Sequence, residues 1–199
     1  MPAKSHLITI LRPLAIAVVL ALVVRAAFVR MYAIPSPSMA PTLRSGDQII
    51  VTPYRFPFGD EPEQGDVIVF RSPLRADELM VKRIVATPGD LIETHAGRVF
   101  VRGHALAEPY VARQAASGTI APQIIPAGCY FVAGDNRENS LDSRSWGVLP
   151  RTAIAGRARM ILWSWGDGSG SPRADAAPRA NGALKPQPLR CDRLFKVIR

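Results

Sequence analysis

Hydrophobic positions along the chain change rhythm near residue 30. Residues 7–29 are almost unbroken apolar side chains, with Arg12 and Arg25 as the only charges and Pro13 to Val24 as an uninterrupted centre. Crossing a bilayer as a helix takes roughly 20 residues, and the two arginines stand where long side chains can reach back to a polar boundary. The pattern predicts one N-terminal transmembrane helix within residues 1–32. A cleaved export signal has an apolar centre of similar length, and either reading implies export. Lys4 and Arg12 on one side face Arg25 and Arg30 on the other, so charge does not orient the segment.

From Gln48 the period shortens to that of strands. Short apolar runs at 48–51, 65–70, 79–85, 97–103, 128–134 and 158–163 are each set off by nearby Gly, Pro or Asp. No long segment after the membrane stretch has a helical period, which predicts a mostly β fold, an antiparallel β-sheet domain over residues 33–199. Within it, the Ala/Pro-rich residues 104–127 read as a short excursion or flap. Residues 166–188 read as a flexible Pro/Gly/Ala-rich loop. The alternation in Leu194–Ile198 reads as a returning last strand or a frayed tail.

Composition narrows the classes. A chain of 199 residues holds one domain with a sizeable core plus a short anchor. The net charge of +9 suits an anionic partner. The basic residues are scattered and lack the clustering and aromatic interleaving of nucleic-acid binders, so a lipid surface is favoured over nucleic acid. Cys129 and Cys191 form no metal-ligand spacing; they are either one disulfide or two separate buried thiols. With only His6, His95 and His104, and no GxSxG, HExxH or GxxxxGK[ST] pattern, the commonest hydrolase and nucleotide-binding classes drop out.

Three stretches carry candidate chemistry. The first, Ile34 to Leu43, packs Ser36 and Ser38 among Pro35, Pro37 and Pro41, and the prolines predict an extended, stiff segment. It is a Pro/Ser linker or a held pair of hydroxyls. The second is Lys82-Arg83 on a strand whose two faces are both apolar, so one cation is expected to be partly buried. A buried arginine stays charged and needs a carboxylate, whereas a buried lysine can lose its proton and become a base. That makes Lys82 the candidate to activate Ser38, against the alternative of an exposed edge-strand lysine. The third, Gly134 to Gly147, is rich in turn formers and alternating Asp and Arg. It is a solvated loop, or one locked by bidentate carboxylate pairs beside a site.

In this order and behind an apolar N-terminus, the three stretches resemble the type I signal peptidases, membrane-bound endopeptidases with a serine nucleophile and a lysine base. Pro35 to Leu43 looks like the family's nucleophile box, Lys82 to Val85 with Pro88-Gly89-Asp90 like its lysine box, and Gly134 to Gly147 like its most specific signature. The resemblance implies Ser38 as nucleophile, Lys82 as general base, Ser36 in the oxyanion hole with the Ser38 N–H, Ser140 orienting the lysine, and Asp142 and Arg144 in support. It implies a substrate strand lined by Ile34, Pro35, Met39, Leu43, Met80 and Val81. No metal, nucleotide or organic cofactor is implied. The partners would be signal peptides of exported preproteins and the lipid bilayer, with the protein anchored in a bacterial cytoplasmic membrane and its β domain outside; the oligomeric state is left open, with a monomer favoured. Pro37 and Ser145 depart from residues frequent in the family, and the 104–127 excursion is short. Phe56 and Phe58 are candidate lips for the lipid interface. The rivals are a Ser/Lys peptidase dedicated to one substrate such as a conjugative pilin, a self-cleaving repressor, which would need a DNA-binding region, and an inactive peptide-binding β module.

Overall fold

A computed structural model describes residues 12–14, 16–18, 29–54, 60–75, 77–113, 119–166 and 188–198. Its strands are, in chain order, β1 (Arg30–Ala33), β2 (Asp47–Thr52), β3 (Val67–Arg71), β4 (Leu79–Ala86), β5 (Leu91–His95), β6 (Arg98–Val101), β7 (His104–Ala105), β8 (Ile120–Ile124), β9 (Cys129–Ala133), β10 (Leu149–Pro150), β11 (Ile154–Ser164) and β12 (Lys196–Val197). The larger sheet runs β1-β2-β11-β3-β4-β9-β10, with β12 added to β11; the smaller runs β7-β6-β5-β8. Every strand pairing is antiparallel.

Continuous apolar runs at the centre of the larger sheet reflect burial on both faces. In β3, Val67 and Val69 enter a cluster with Ile34, Met39, Leu43, Ile49 and Val51, whereas Ile68 and Phe70 enter a second with Ile84, Tyr130, Val132 and Leu149. A strand with period-2 geometry sandwiched between two cores has no polar positions to alternate. β2 shows the one-sided case, with Asp47, Ile49 and Val51 inward and Gln48, Ile50 and Thr52 only half-buried. A third cluster, including Val85, Ile92, Val99 and Phe131, joins the two sheets.

Several expectations change. The sheet starts at Arg30, inside the stretch assigned to the membrane helix, because Arg30 to Ala33 pair with Val51 to Gln48. The excursion 104–127 contains β7 and the edge strand β8, whose exposed positions and Pro122 hide its strand character. β5 and β6 form a hairpin around Ala96 and Gly97, with φ of 49° and 78°, the left-handed pair a tight hairpin turn requires. Leu194–Ile198 does return to the body, through β12. Cys129 and Cys191 are both free, and neither is buried. The Ile34–Leu43 stretch is not extended throughout. Ala40 N–H donates to Pro37 O at 2.9 Å and Leu43 N–H to Met39 O at 2.9 Å, turns that let Met39 and Leu43 reach the core. Residues 12–14 and 16–18 are helical, and among the described residues no helix is long and apolar enough to cross a membrane. The rest of the predicted span up to residue 28, with Phe56, Phe58 and residues 167–187, lies outside the described residues.

Candidate active site

The turns after β1 place Ser38 at the mouth of the first core cluster, and β4 delivers Lys82 to it. Lys82 Nζ lies 2.7 Å from Ser38 Oγ. Only 2% of the lysine is exposed, while Ser38 is half-buried and open to a ligand. Burial disfavours the ammonium; Asp142 pulls back toward the charged form and Arg144 pushes away from it, and the balance lowers Lys82 to about 8. The protonated amine donates to Ser38; once neutral, it can accept the hydroxyl proton. Ser36 Oγ stands 3.2 Å from Ser38 Oγ on the exposed side. Among the described residues no hydrogen bond engages the Ser38 N–H.

Arg83 points the other way, as strand alternation demands, and both cations are buried. Its Nε and Nη2 donate to the two oxygens of Asp135 at 2.9 and 2.7 Å. Asp135 lies in the loop that follows β9, and the next residue grips the turn that carries Ser38. Asn136 N–H donates to Ser38 O at 3.1 Å, and its side-chain amide donates to Pro37 O at 3.2 Å. The carbonyl of Pro37 is thus put to use.

Asp142 and Arg144 lock the other end of this loop. Arg144 Nε and Nη2 donate to the Asp142 carboxylate at 2.7 and 2.8 Å, and Gly134 N–H donates to it at 2.9 Å. Burial works to raise this carboxyl, but Arg144 and the Gly134 N–H more than offset it and hold it below the usual range. Ser140 lies against Gly134 with its Oγ buried; it makes no hydrogen bond of good geometry, though its hydroxyl still helps to lower Asp142. The expected contact with the lysine is not formed here, since Lys82 Nζ donates to Ser38 instead. Ser145 is exposed, and Trp146 tilts against Phe70.

The Ser38 turn is also held from the C-terminal side. Arg193, 2% exposed, donates to both oxygens of Asp47 and, at 2.8 Å, to Thr42 O. Arg190 Nη1 donates to Ser45 O at 3.1 Å.

Two strand edges border the Ser38–Lys82 pair. Among the described residues, β1 pairs only with β2, and β4 meets β9 only from Arg83 onward, leaving one side of Leu79 to Val81 open. Of the expected groove lining, Pro35 is exposed and Met80 and Val81 are half-buried. Ile34, Met39 and Leu43, at 4%, 1% and 0% exposure, are core residues beneath the groove and offer it almost no surface. No cluster of His, Cys, Asp or Glu suited to a metal occurs among the described residues.

The family model described as "Signal peptidase, peptidase S26" matches residues 7–163. The chain belongs to this family of serine endopeptidases. It is 37% identical over 169 residues to a signal peptidase I of Leptolyngbya laminosa, covering 81% of this chain and 82% of that one. To a signal peptidase I of Bacillus licheniformis it is 31% identical over 178 residues, covering 82% and 92%. A crystal structure of a signal peptidase I from Enterococcus faecalis V583 is 29% identical, with a TM-score of 0.44, and covers 49% of this chain and 97% of that chain. Within this S26 peptidase, sequence reasoning assigned no role to Asp135, Asn136, Glu108, Arg137 or Arg193. One signal was present: a buried Arg83 requires a carboxylate, and Asp135 was available in the third stretch.

Proposed function

We propose that this S26 peptidase removes signal peptides from exported preproteins, cutting after small residues with Ser38 as nucleophile and Lys82 as general base. The observation that carries the reading is the 2.7 Å approach of a buried, pKa-lowered Lys82 to an accessible Ser38. As Ser38 Oγ attacks the scissile carbonyl carbon, neutral Lys82 takes the hydroxyl proton. The oxyanion then accepts hydrogen bonds from the Ser36 hydroxyl and the Ser38 N–H, donors worth about 3 to 4 kcal/mol each in such sites. Lys82 returns its proton to the departing amine as the C–N bond breaks. The mature protein leaves with a new N-terminus, and the signal peptide stays as an ester on Ser38. Lys82 next takes a proton from water, whose oxygen attacks the ester carbonyl; as the Ser38 Oγ–C bond breaks, Lys82 gives that proton to Ser38 Oγ and the signal peptide leaves as its carboxylate. The Ser140 hydroxyl, which also stabilises the Asp142 carboxylate, would orient the Lys82 ammonium as it forms.

An extended substrate would add a strand between the open edges of β1 and β4, with Pro35, Met80 and Val81 along its small side chains. Residues 7–29 anchor the enzyme in the bacterial cytoplasmic membrane by a single helix, with the β domain on the outer face beside the anionic headgroups that its net charge of +9 favours. The test is cleavage of a preprotein with an Ala-x-Ala site in detergent. Ser38→Ala and Lys82→Ala should each lose at least about 1,000-fold in kcat/KM, and full activity in either would overturn the mechanism. Cleavage of a single pilin precursor and no other preprotein would turn the assignment to a dedicated processing enzyme.

A further inference from the structure

The catalytic loop has a support that the Ser/Lys mechanism does not call for. After β7 the chain doubles back through residues 106–113, with Leu106 N–H on Val99 O at 2.9 Å and Val111 N–H on Glu108 O at 3.0 Å. Two side chains of this segment reach the loop that carries Asp135 and Asn136. Glu108 forms an ion pair with Arg137 Nη2, and the two side chains are only 3% and 1% exposed. The Tyr110 ring centroid lies 3.9 Å from the guanidinium carbon of Arg83. Tyr110 OH also donates to Glu108 Oε1 at 3.1 Å, so the pair forms one unit.

The two arginines bracket the residue that grips the nucleophile. Arg83 fixes Asp135 from β4, while Arg137 Nε donates to Gly134 O at 2.9 Å and Arg137 O accepts from Arg144 at 3.0 Å. Asn136, between Asp135 and Arg137, carries the bonds to Pro37 O and Ser38 O. A guanidinium held edge-on by a carboxylate and covered on its face by an aromatic ring has few other orientations open to it. Burying the Glu108 carboxylate is tolerable only because Arg137 meets it, so segment and loop are fixed together.

We propose that Glu108 and Tyr110 are positioning residues for the cleavage step: they clasp Arg137 and Arg83 so that Asn136 holds the Ser38 turn within reach of Lys82. This rests on the reading of Ser38 and Lys82 above. The clasp touches neither open strand edge, so its loss should act on kcat and leave KM largely alone. Tyr110→Phe keeps the ring over Arg83, whereas Tyr110→Leu removes it.

The experiment is steady-state cleavage of a preprotein by the full chain in detergent, alongside Ser38→Ala, with far-UV circular dichroism and thermal melting of each variant. Tyr110→Leu should lower kcat by about tenfold with KM within about twofold, a misplacement effect. Tyr110→Phe should stay within about twofold of wild type on both, as the ring face is retained. Glu108→Gln should lower kcat as Tyr110→Leu does; if the uncompensated Arg137 prevents folding, the Tyr110 pair still decides. Wild-type kcat in Tyr110→Leu overturns the clasp, as does an equal fall in the Phe and Leu variants. Activity surviving in Ser38→Ala would overturn the Ser/Lys reading itself, a separate outcome from either of these.

Discussion

As the proposed base, Lys82 has two demands on it that conflict. To act as a base it must be neutral near the working pH, which burial achieves by making the ammonium unfavourable. The same burial weakens the fold below about pH 8, where the charge must be carried inside. That cost fades as pH climbs from about 8 toward the ordinary lysine value of 10.5. Activity follows the same axis. The kcat/KM of the free enzyme should rise through a midpoint at about pH 8 as the amine loses its proton. A pH–rate profile flat from about pH 6 to 10 would rule out a lysine of this kind as the base. The burial of a cation in β4 was legible, since an apolar strand with Lys82 and Arg83 on opposite faces hides at least one of them; residue chemistry alone left Ser38 as a held hydroxyl or part of a linker, and it was the family resemblance that paired it with Lys82. The partners of Arg83 and Arg193 were not. Asp135 lies 52 residues from Arg83, and Asp47 lies 146 residues from Arg193, separations over which pattern carries no pairing information.

At the scale of elements, the site is an encounter between the end of β9 and the turn after β1, and its closeness depends on a missing side chain. A Cβ on Gly134 would fall 2.2 Å from Ser140 Oγ and 2.5 Å from Ser38 O. Both contacts are shorter than atoms tolerate, and one is to backbone that Asn136 also binds. Gly134→Ala should push the Ser38 turn away from β9 and cost at least about tenfold in kcat/KM, as a misplacement of about 1 Å does in other sites. Wild-type kinetics from that variant would show that the turn can yield without harm. The stretch containing Gly134 was legible as a turn-rich loop with paired charges. Its density against the serine was not, because a glycine required for close approach reads in sequence like a glycine required for a turn.

For the whole molecule, burial decided what could be read. Strands covered on both faces, β3, β4 and β9, announced themselves as apolar runs. β1 and β8 did not: β1 continues from an apolar stretch with no punctuation, and β8 is an exposed edge carrying a proline. The stiff proline stretch was expected to be extended, yet it curls because Met39 and Leu43 add more by reaching the core than the chain loses by bending. At the far end, Trp165 pairs with Leu189, Gly166 N–H donates to Pro188 O at 3.0 Å, and Arg190 N–H donates to Ser164 O at 2.8 Å. The two ends of residues 167–187 are thereby tied to each other, and only beyond them does the chain run on to Arg193 and its grip on Asp47. Replacing 167–187 by a turn of about four residues should therefore leave the melting temperature unchanged or a few degrees higher, since a shorter loop costs less to close. Preprotein cleavage should stay within about twofold of the parent chain, because that span holds neither Ser38 nor Lys82 nor any residue bonded to them. A large loss of cleavage in a well-folded product would give the span a role of its own. The same tied ends make this position a docking port for the engineer: a fluorescent protein or an affinity handle spliced there would ride on a closed hairpin, reporting on the peptidase without loosening the tail that braces it.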